Sequence, residues 1–121
     1  MSARILLVDD DFSVRETLSD ILKANGYEVV ECANASEAVD VVSKQPFDCA
    51  VIDLRLPDTS GEELVAKISA RIPKSKIVIV TGYATEEILV KALKQAEYFF
   101  LLKPVEPDHL LKIIEKILSG L

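Results

Sequence analysis

Short runs of continuous apolar residues alternate along the chain with longer segments in which apolar positions recur every three or four residues. A short continuous run is typical of a parallel strand covered on both faces, and the longer spacing is that of an amphipathic helix. The runs predict five strands, at Arg4–Val8, 28–33, Cys49–Asp53, Ile77–Thr81 and Phe99–Leu102. Strict alternation of strand and helix predicts an α/β domain with a parallel sheet, helices on both of its faces and right-handed crossovers.

Helix start and stop signals lie between and after these strands. The predicted helices cover residues 12–25, 34–44, 60–71, 85–94 and a last segment that begins near Pro107. Asn34 with Glu37, and Ser60 with Glu63, have the spacing of capping boxes, and a Pro suits the first turn of a helix. The sequence therefore predicts five helices.

Polar residues follow the predicted strands where each strand ends. They are Asp9, Asp10, Asp11, Asp53, Thr81 and Lys103. Each has an ordinary interpretation alone, as a helix cap, a turn residue or a solvated charge, but the carboxyl ends of parallel strands meet at one edge of the sheet. Two carboxylates about 4 Å apart repel by roughly 4 kcal/mol at an effective dielectric near 20. A hard cation such as Mg²⁺ would offset that repulsion.

Four sequence motifs lie at these strand ends. They are ILLVDDD at 5–11, VIDLRLPDTSG at 51–61, VIVTGYA at 78–84 and LLKP at 101–104. In this order and spacing the chain, taken as a single domain over residues 1–121, resembles the response-regulator receiver domains of bacterial two-component systems, the CheY-like superfamily. The resemblance implies a doubly wound, flavodoxin-like fold with a five-stranded parallel sheet in the order 2-1-3-4-5 and five helices on two faces.

The resemblance also implies how the acidic residues act. Asp53 matches the phosphoacceptor, and Asp9 and Asp10 match the acidic pair that holds Mg²⁺ together with Asp53 and the backbone carbonyl of Arg55. Phosphoryl transfer requires an in-line nucleophile and positive charge on the phosphoryl oxygens, and a carboxylate nucleophile becomes an acyl phosphate. The expected donor is a partner histidine kinase, a histidine phosphotransfer protein or a small acyl phosphate. No turnover of a separate substrate is expected.

Residues near the fourth and fifth strands match the family's switch. Thr81 and Lys103 match the hydroxyl and the amine that hold phosphoryl oxygens, and Phe100 matches an aromatic that moves when the hydroxyl engages. A cis bond is expected before Pro104. Tyr98 and Phe100 are expected to edge the face formed by the fourth helix, fifth strand and fifth helix, through which a second copy or an output domain would bind.

Charge and cysteine use narrow the class of protein. The net charge of -6 argues against direct nucleic-acid binding, and the apolar run near the N-terminus is too short for a membrane span. Cys32 and Cys49 show no metal-binding spacing and are expected to be buried free thiols in a cytoplasmic protein. His109 is expected to be exposed, and nothing around it indicates a phosphodonor.

Two other classes of protein share part of this pattern, a phosphatase and a pseudo-receiver. Asp9, Asp11 and Ser13 loosely match the motif of haloacid-dehalogenase-like phosphatases, but that reading leaves Asp53 without a role and finds no acidic pair after the lysine. A pseudo-receiver that acts only as an interaction module would not need the complete set of acids, hydroxyl and amine. No Gly-rich phosphate loop follows the first strand. The sequence leaves open whether the receiver stands alone or belongs to a longer protein.

Overall fold

A computed structural model describes residues 2–82 and 99–120 of the chain. Its strands are β1 (Arg4–Val8), β2 (Glu28–Cys32), β3 (Cys49–Asp53), β4 (Ile77–Thr81) and β5 (Phe99–Leu102). Its α-helices are α1 (Phe12–Ala24), α2 (Ala35–Lys44), α3 (Gly61–Ile68) and α4 (Pro107–Leu118), and a 3₁₀ turn covers Lys74–Lys76. The five strands are parallel and lie in the order β2-β1-β3-β4-β5, which confirms the predicted fold class.

Three predicted elements extend past their observed ends, by one residue for α1 and β2 and by three residues for α3. β2 ends at Cys32 because the next N–H, of Ala33, donates to the Glu37 carboxylate at 3.0 Å. α3 ends at Ile68, because the N–H groups of Arg71 and Ile72 both return to the Ile68 carbonyl at 2.9 Å in a tight turn. The 3₁₀ turn was not predicted. The predicted helix at 85–94 lies outside the described residues, as does Tyr98.

The sheet separates two apolar clusters. Strand residues on one face, such as Leu6 and Ile52, pack with α2 and α3, and those on the other face, such as Leu7 and Val51, pack with α1 and α4. β3 and β4 are buried along their whole length. This two-sided burial explains the continuous apolar runs in the sequence, and it fixes the carboxyl ends of the central strands at one edge of the molecule.

Side-chain caps fix where the helices begin. The carboxylate of Asp11 accepts from the Val14 N–H at 3.2 Å, and Asn34 caps α2 by accepting from the Glu37 N–H at 2.8 Å. Ser60 accepts from the Glu63 N–H at 3.1 Å, and the Glu63 carboxylate accepts from the Thr59 hydroxyl instead of the Ser60 N–H. The predicted helix starts are thus confirmed for these three helices. In both predicted capping boxes the Glu carboxylate accepts from the residue before the N-cap, from the Ala33 N–H in one and the Thr59 hydroxyl in the other.

Within the described residues, none of the helices has both the length and the apolar character needed to span a bilayer. Cys32 and Cys49 are free and buried, as predicted. His109 is exposed on α4, also as predicted.

Candidate functional site

Three aspartates meet at the carboxyl ends of β1 and β3. These strands are neighbours in the sheet, with Val8 opposite Ile52, so the residues that follow lie side by side. One carboxylate oxygen from each of Asp9, Asp10 and Asp53 lies within 4.8 Å of the others. Asp9 is 2% exposed and Asp53 7%, whereas Asp10 is open to solvent. The structure therefore brings together the three acids that the sequence singled out.

Lys103 supplies positive charge to this acidic cluster. Its Nζ lies 3.0 Å from Asp9 Oδ2 and 3.1 Å from Asp53 Oδ2. Its backbone N–H donates to the Thr81 carbonyl at 2.8 Å, and the peptide bond to Pro104 is cis, as expected. Burial acts to lower the pKa of Lys103, but the hydrogen bonds and charges of Asp9 and Asp53 outweigh it and raise that pKa. The amine is therefore an ammonium at neutral pH.

The Asp53 carboxylate is held at both oxygens. Oδ1 accepts from the Arg55 N–H at 3.2 Å, and Oδ2 accepts from Lys103. Burial is the largest influence on its pKa and raises it; the Asp9 charge adds to the rise, while the Lys103 and Arg55 hydrogen bonds oppose it. The pKa is raised on balance, so one lysine does not fully compensate for burying this carboxylate beside another. Within residues 2–82 and 99–120, the ion pairs of this cluster set one ammonium against three carboxylates.

The chain turns sharply after Asp53, and Gly61 makes the turn possible. The Gly61 N–H donates to the Leu54 carbonyl at 2.7 Å. A Cβ at position 61 would lie 2.5 Å from the Asp53 backbone oxygen and 2.9 Å from the Leu54 Cα. Because both neighbours are backbone atoms, no side chain fits there without moving the strand end that carries Asp53.

Thr81 and Phe100 lie on the same face of the sheet. Thr81 ends β4, is fully buried, and stands opposite Leu102, while Ile79 stands opposite Phe100. Residues two apart along a strand share a face, so the Thr81 and Phe100 side chains project toward the α2 and α3 side. Phe100 is partly buried there against the apolar cluster. The two side chains therefore lie on the same surface of the sheet.

Two residues at the site were not anticipated from the sequence. Arg15 donates to the Asp9 carbonyl at 2.8 Å and pairs with Glu31 at 3.4 Å, which holds the end of β1. Asp58, in the loop after Asp53, accepts from two N–H groups at the start of α2. The only local signal for Asp58 is its position after Pro57, which is ordinary turn chemistry.

Comparison with known proteins identifies the family. The protein-family model of the response regulator receiver domain matches residues 5–115 of the chain. The response regulator protein FleR of Pseudomonas aeruginosa is 33% identical over 120 residues, which cover 99% of this chain and 25% of FleR. The chain thus spans about a quarter of that relative's length.

Solved structures agree with the sequence match. A CheY-like receiver domain from Methanospirillum hungatei is 37% identical with a TM-score of 0.88, covering 99% of this chain and 96% of the other. A Burkholderia pseudomallei response regulator, solved with a phosphorylated aspartic acid, a calcium ion and citrate, is 28% identical with a TM-score of 0.83, covering 98% and 70%. The chain belongs to the response regulator receiver domain family, the phosphoacceptor modules of two-component signalling.

Proposed function

We propose that the chain, as one receiver domain over residues 1–121, is a phosphorylation switch in which Asp53 accepts a phosphoryl group in a Mg²⁺-dependent reaction. The observation that carries the proposal is the cluster of Asp9, Asp10 and Asp53 with the Lys103 ammonium on its rim. The donor would be a histidine kinase or a histidine phosphotransfer protein. Receivers of this family work with such kinases.

The donor set at the site fits Mg²⁺. Carboxylate and carbonyl oxygens are the ligands that hard divalent cations prefer, and the cluster offers three carboxylates within 4.8 Å. Asp9, Asp10, Asp53 and the backbone carbonyl of Arg55 would hold the ion. When bound, Mg²⁺ would neutralise charge on the Asp53 carboxylate and on the phosphoryl oxygens. The calcium ion in the Burkholderia relative is a cation of the same hard class.

The residues of the chain then account for the transfer. An oxygen of the Asp53 carboxylate attacks phosphorus, and the bond from phosphorus to the donor nitrogen or oxygen breaks, with its electron pair leaving on the donor. Lys103, already 3.1 Å from Asp53, supplies positive charge to an oxygen of the transferred group. Attack of water on the phosphorus of the resulting acyl phosphate breaks its bond to the Asp53 oxygen, releases inorganic phosphate and restores the carboxylate. The chain catalyses its own phosphorylation and dephosphorylation, and no other substrate is proposed.

The signal would leave the site through Thr81 and Phe100. A phosphoryl group on Asp53 offers the Thr81 hydroxyl a new acceptor, and a shift of Thr81 leaves space that Phe100 fills. Because Phe100 lies on the edge strand β5, its movement changes the surface beside that strand, where Leu102 is 46% exposed. An output domain, or a second copy of the chain, would bind there.

The phosphoryl donor would approach Lys103 from the side of α1, and not from the surface proposed for the output partner. A groove of about 490 Å³ lies between α1 and the segment after β5, lined among others by Val14, Thr17 and Pro104. Phe12, at the start of α1, is 64% exposed and precedes Ser13, which also lines the groove. An apolar helix carrying the phosphohistidine suits this surface.

Buried free thiols suit a reducing compartment, and we place the exchange in the cytoplasm.

The test is incubation of the chain with Mg²⁺ and acetyl phosphate, followed by intact-mass measurement. One added phosphoryl group is expected in the wild type, and none after Mg²⁺ is removed by a chelator. Asp53→Ala should gain no phosphoryl group. Asp48→Ala is the matched control, because it alters the aspartate just before β3 instead of the one at its end, and it should gain one phosphoryl group. Equal mass gain in Asp53→Ala and wild type would overturn the assignment.

A further inference from the structure

The loop between β3 and α3 is fastened at its tip to a different helix. Asp58 Oδ1 accepts from the Ala35 N–H at 3.0 Å, and Oδ2 accepts from the Ser36 N–H at 3.0 Å. Both donors lie in the first turn of α2, more than twenty residues earlier in the chain. The Ala35 hydrogen bond is the main influence that lowers the pKa of Asp58, so the group is a carboxylate at neutral pH.

α2 has a cap of its own, which separates the two roles at this helix end. Asn34 accepts from the Glu37 N–H at 2.8 Å and so satisfies one of the orphan donors of the first turn. Asp58 accepts from two others, the N–H groups of Ala35 and Ser36. Asp58 therefore ties the loop to α2, in addition to any stabilisation of the helix itself.

From the tip, hydrogen bonds lead back to Asp53. The loop closes as a narrow ribbon, in which the Leu56 N–H donates to the Thr59 carbonyl at 3.1 Å and Arg55 pairs with Ser60. The N–H of the same Arg55 donates to Asp53 Oδ1. Holding the tip in place therefore holds the donor that orients the Asp53 carboxylate.

We propose that Asp58 is a positioning residue for the phosphoacceptor site, acting by tying the 54–60 loop to the N-terminus of α2. This inference rests on the proposed function of Asp53. Groups that orient a ligand without touching the metal commonly change metal affinity when removed. Without the tie, the Arg55 backbone would sample other positions, and the acidic cluster would bind Mg²⁺ and accept a phosphoryl group less well.

The test compares Asp58→Ala with Asn34→Ala in the full chain. Both variants remove hydrogen bonds from the first turn of α2, but only Asp58→Ala releases the loop. Mg²⁺ alone is titrated by calorimetry, and phosphorylation by acetyl phosphate is followed as the maximal rate and as the half-saturating concentration. Asp58→Ala should weaken Mg²⁺ binding about tenfold, the lower end of the loss caused by removing orienting groups. It should also lower the maximal phosphorylation rate.

Asn34→Ala should lower the melting temperature while leaving Mg²⁺ affinity and phosphorylation rate within about twofold of wild type. Asp58→Asn retains one oxygen acceptor and should recover part of the loss. Equal Mg²⁺ affinity and rate in Asp58→Ala and wild type would overturn the positioning role alone, as would equal losses in Asp58→Ala and Asn34→Ala. A wild-type chain that neither binds Mg²⁺ nor gains a phosphoryl group would overturn the proposed function itself, and the positioning role with it.

Discussion

Lys103 serves two buried carboxylates with a single ammonium. Its Nζ is close to both Asp9 and Asp53, and the third acid of the cluster, Asp10, adds further negative charge. A buried ion pair is weak evidence for stability, because desolvation of the charges offsets their attraction. In the part of the chain that the structure describes, three carboxylates of the cluster share one paired ammonium, and the divalent ion of the proposed function would reduce their mutual repulsion. We therefore expect the crowded carboxylates to lower the free energy of unfolding.

Cys49 gives a pH dependence that can be measured apart from the site. Burial raises the pKa of its thiol to about 12, so folding favours the protonated form. The stabilisation is complete below the ordinary thiol pKa and is lost as pH rises toward the folded-state pKa. Between pH 9 and 11 the unfolding free energy of the wild type should fall by roughly 2–3 kcal/mol more than that of Cys49→Ala. Urea unfolding of both proteins at each pH measures this, and parallel pH profiles would contradict it.

Among the strands, β4 and β5 carry the proposed route of the signal, from Thr81 to Phe100. Thr81→Ala should still be phosphorylated by acetyl phosphate, because the nucleophile and Lys103 are intact. Its amide NMR shifts in β5 should respond little to phosphorylation, since a ligand-driven change requires a contact that differs between the two states, and this variant lacks it. The wild type should show clear shifts at Phe100. Identical β5 shifts in variant and wild type would rule out this route.

The strands and the helix starts could be predicted because their signals are local. A continuous apolar run such as Cys49–Asp53 and a cap such as Ser60 act within a few residues, and the structure has both. The end of α3 was misplaced because residues 69–71 are compatible with a helix, and burial of Ile72 in the core depends on packing beyond the helix. Asp58 was missed because its partners on α2 are distant in the sequence. Spacing along a chain does not reveal such a contact.

The fold as a whole made the site predictable before any distance was known. A parallel sheet gathers its carboxyl strand ends at one edge, and because β1 and β3 are neighbours in the sheet, Asp9 and Asp53 lie side by side. Lys103 follows β5, two strands from β3, and contacts both carboxylates through its long side chain. The strand order, and the assignment of roles, came from the family resemblance, since periodicity alone does not number neighbouring strands. The Gly61 close approach to the Asp53 backbone was visible only in three dimensions.

Stability of the whole molecule should respond to Mg²⁺. A ligand at ten times its dissociation constant stabilises the native state by about 1.4 kcal/mol, which raises the melting temperature of a domain this size by about 5 °C. Asp10→Asn removes one of three crowded charges, so it should melt above the metal-free wild type and lose the Mg²⁺ response. Thermal unfolding monitored by circular dichroism across a Mg²⁺ titration measures both effects. A wild-type melting temperature that ignores Mg²⁺ would contradict the cation site.

The proposed function requires that Asp53, among several neighbouring carboxylates, carries the phosphoryl group. Loss of phosphorylation in a variant cannot separate a missing acceptor from a disturbed site, so the modified residue itself has to be located. Borohydride converts an aspartyl phosphate to homoserine, and peptide mass spectrometry of the phosphorylated, reduced wild type then identifies the position. We expect homoserine at position 53 and unmodified aspartate at Asp9, Asp10 and Asp58. Homoserine at any of those three positions, with Asp53 unchanged, would contradict it.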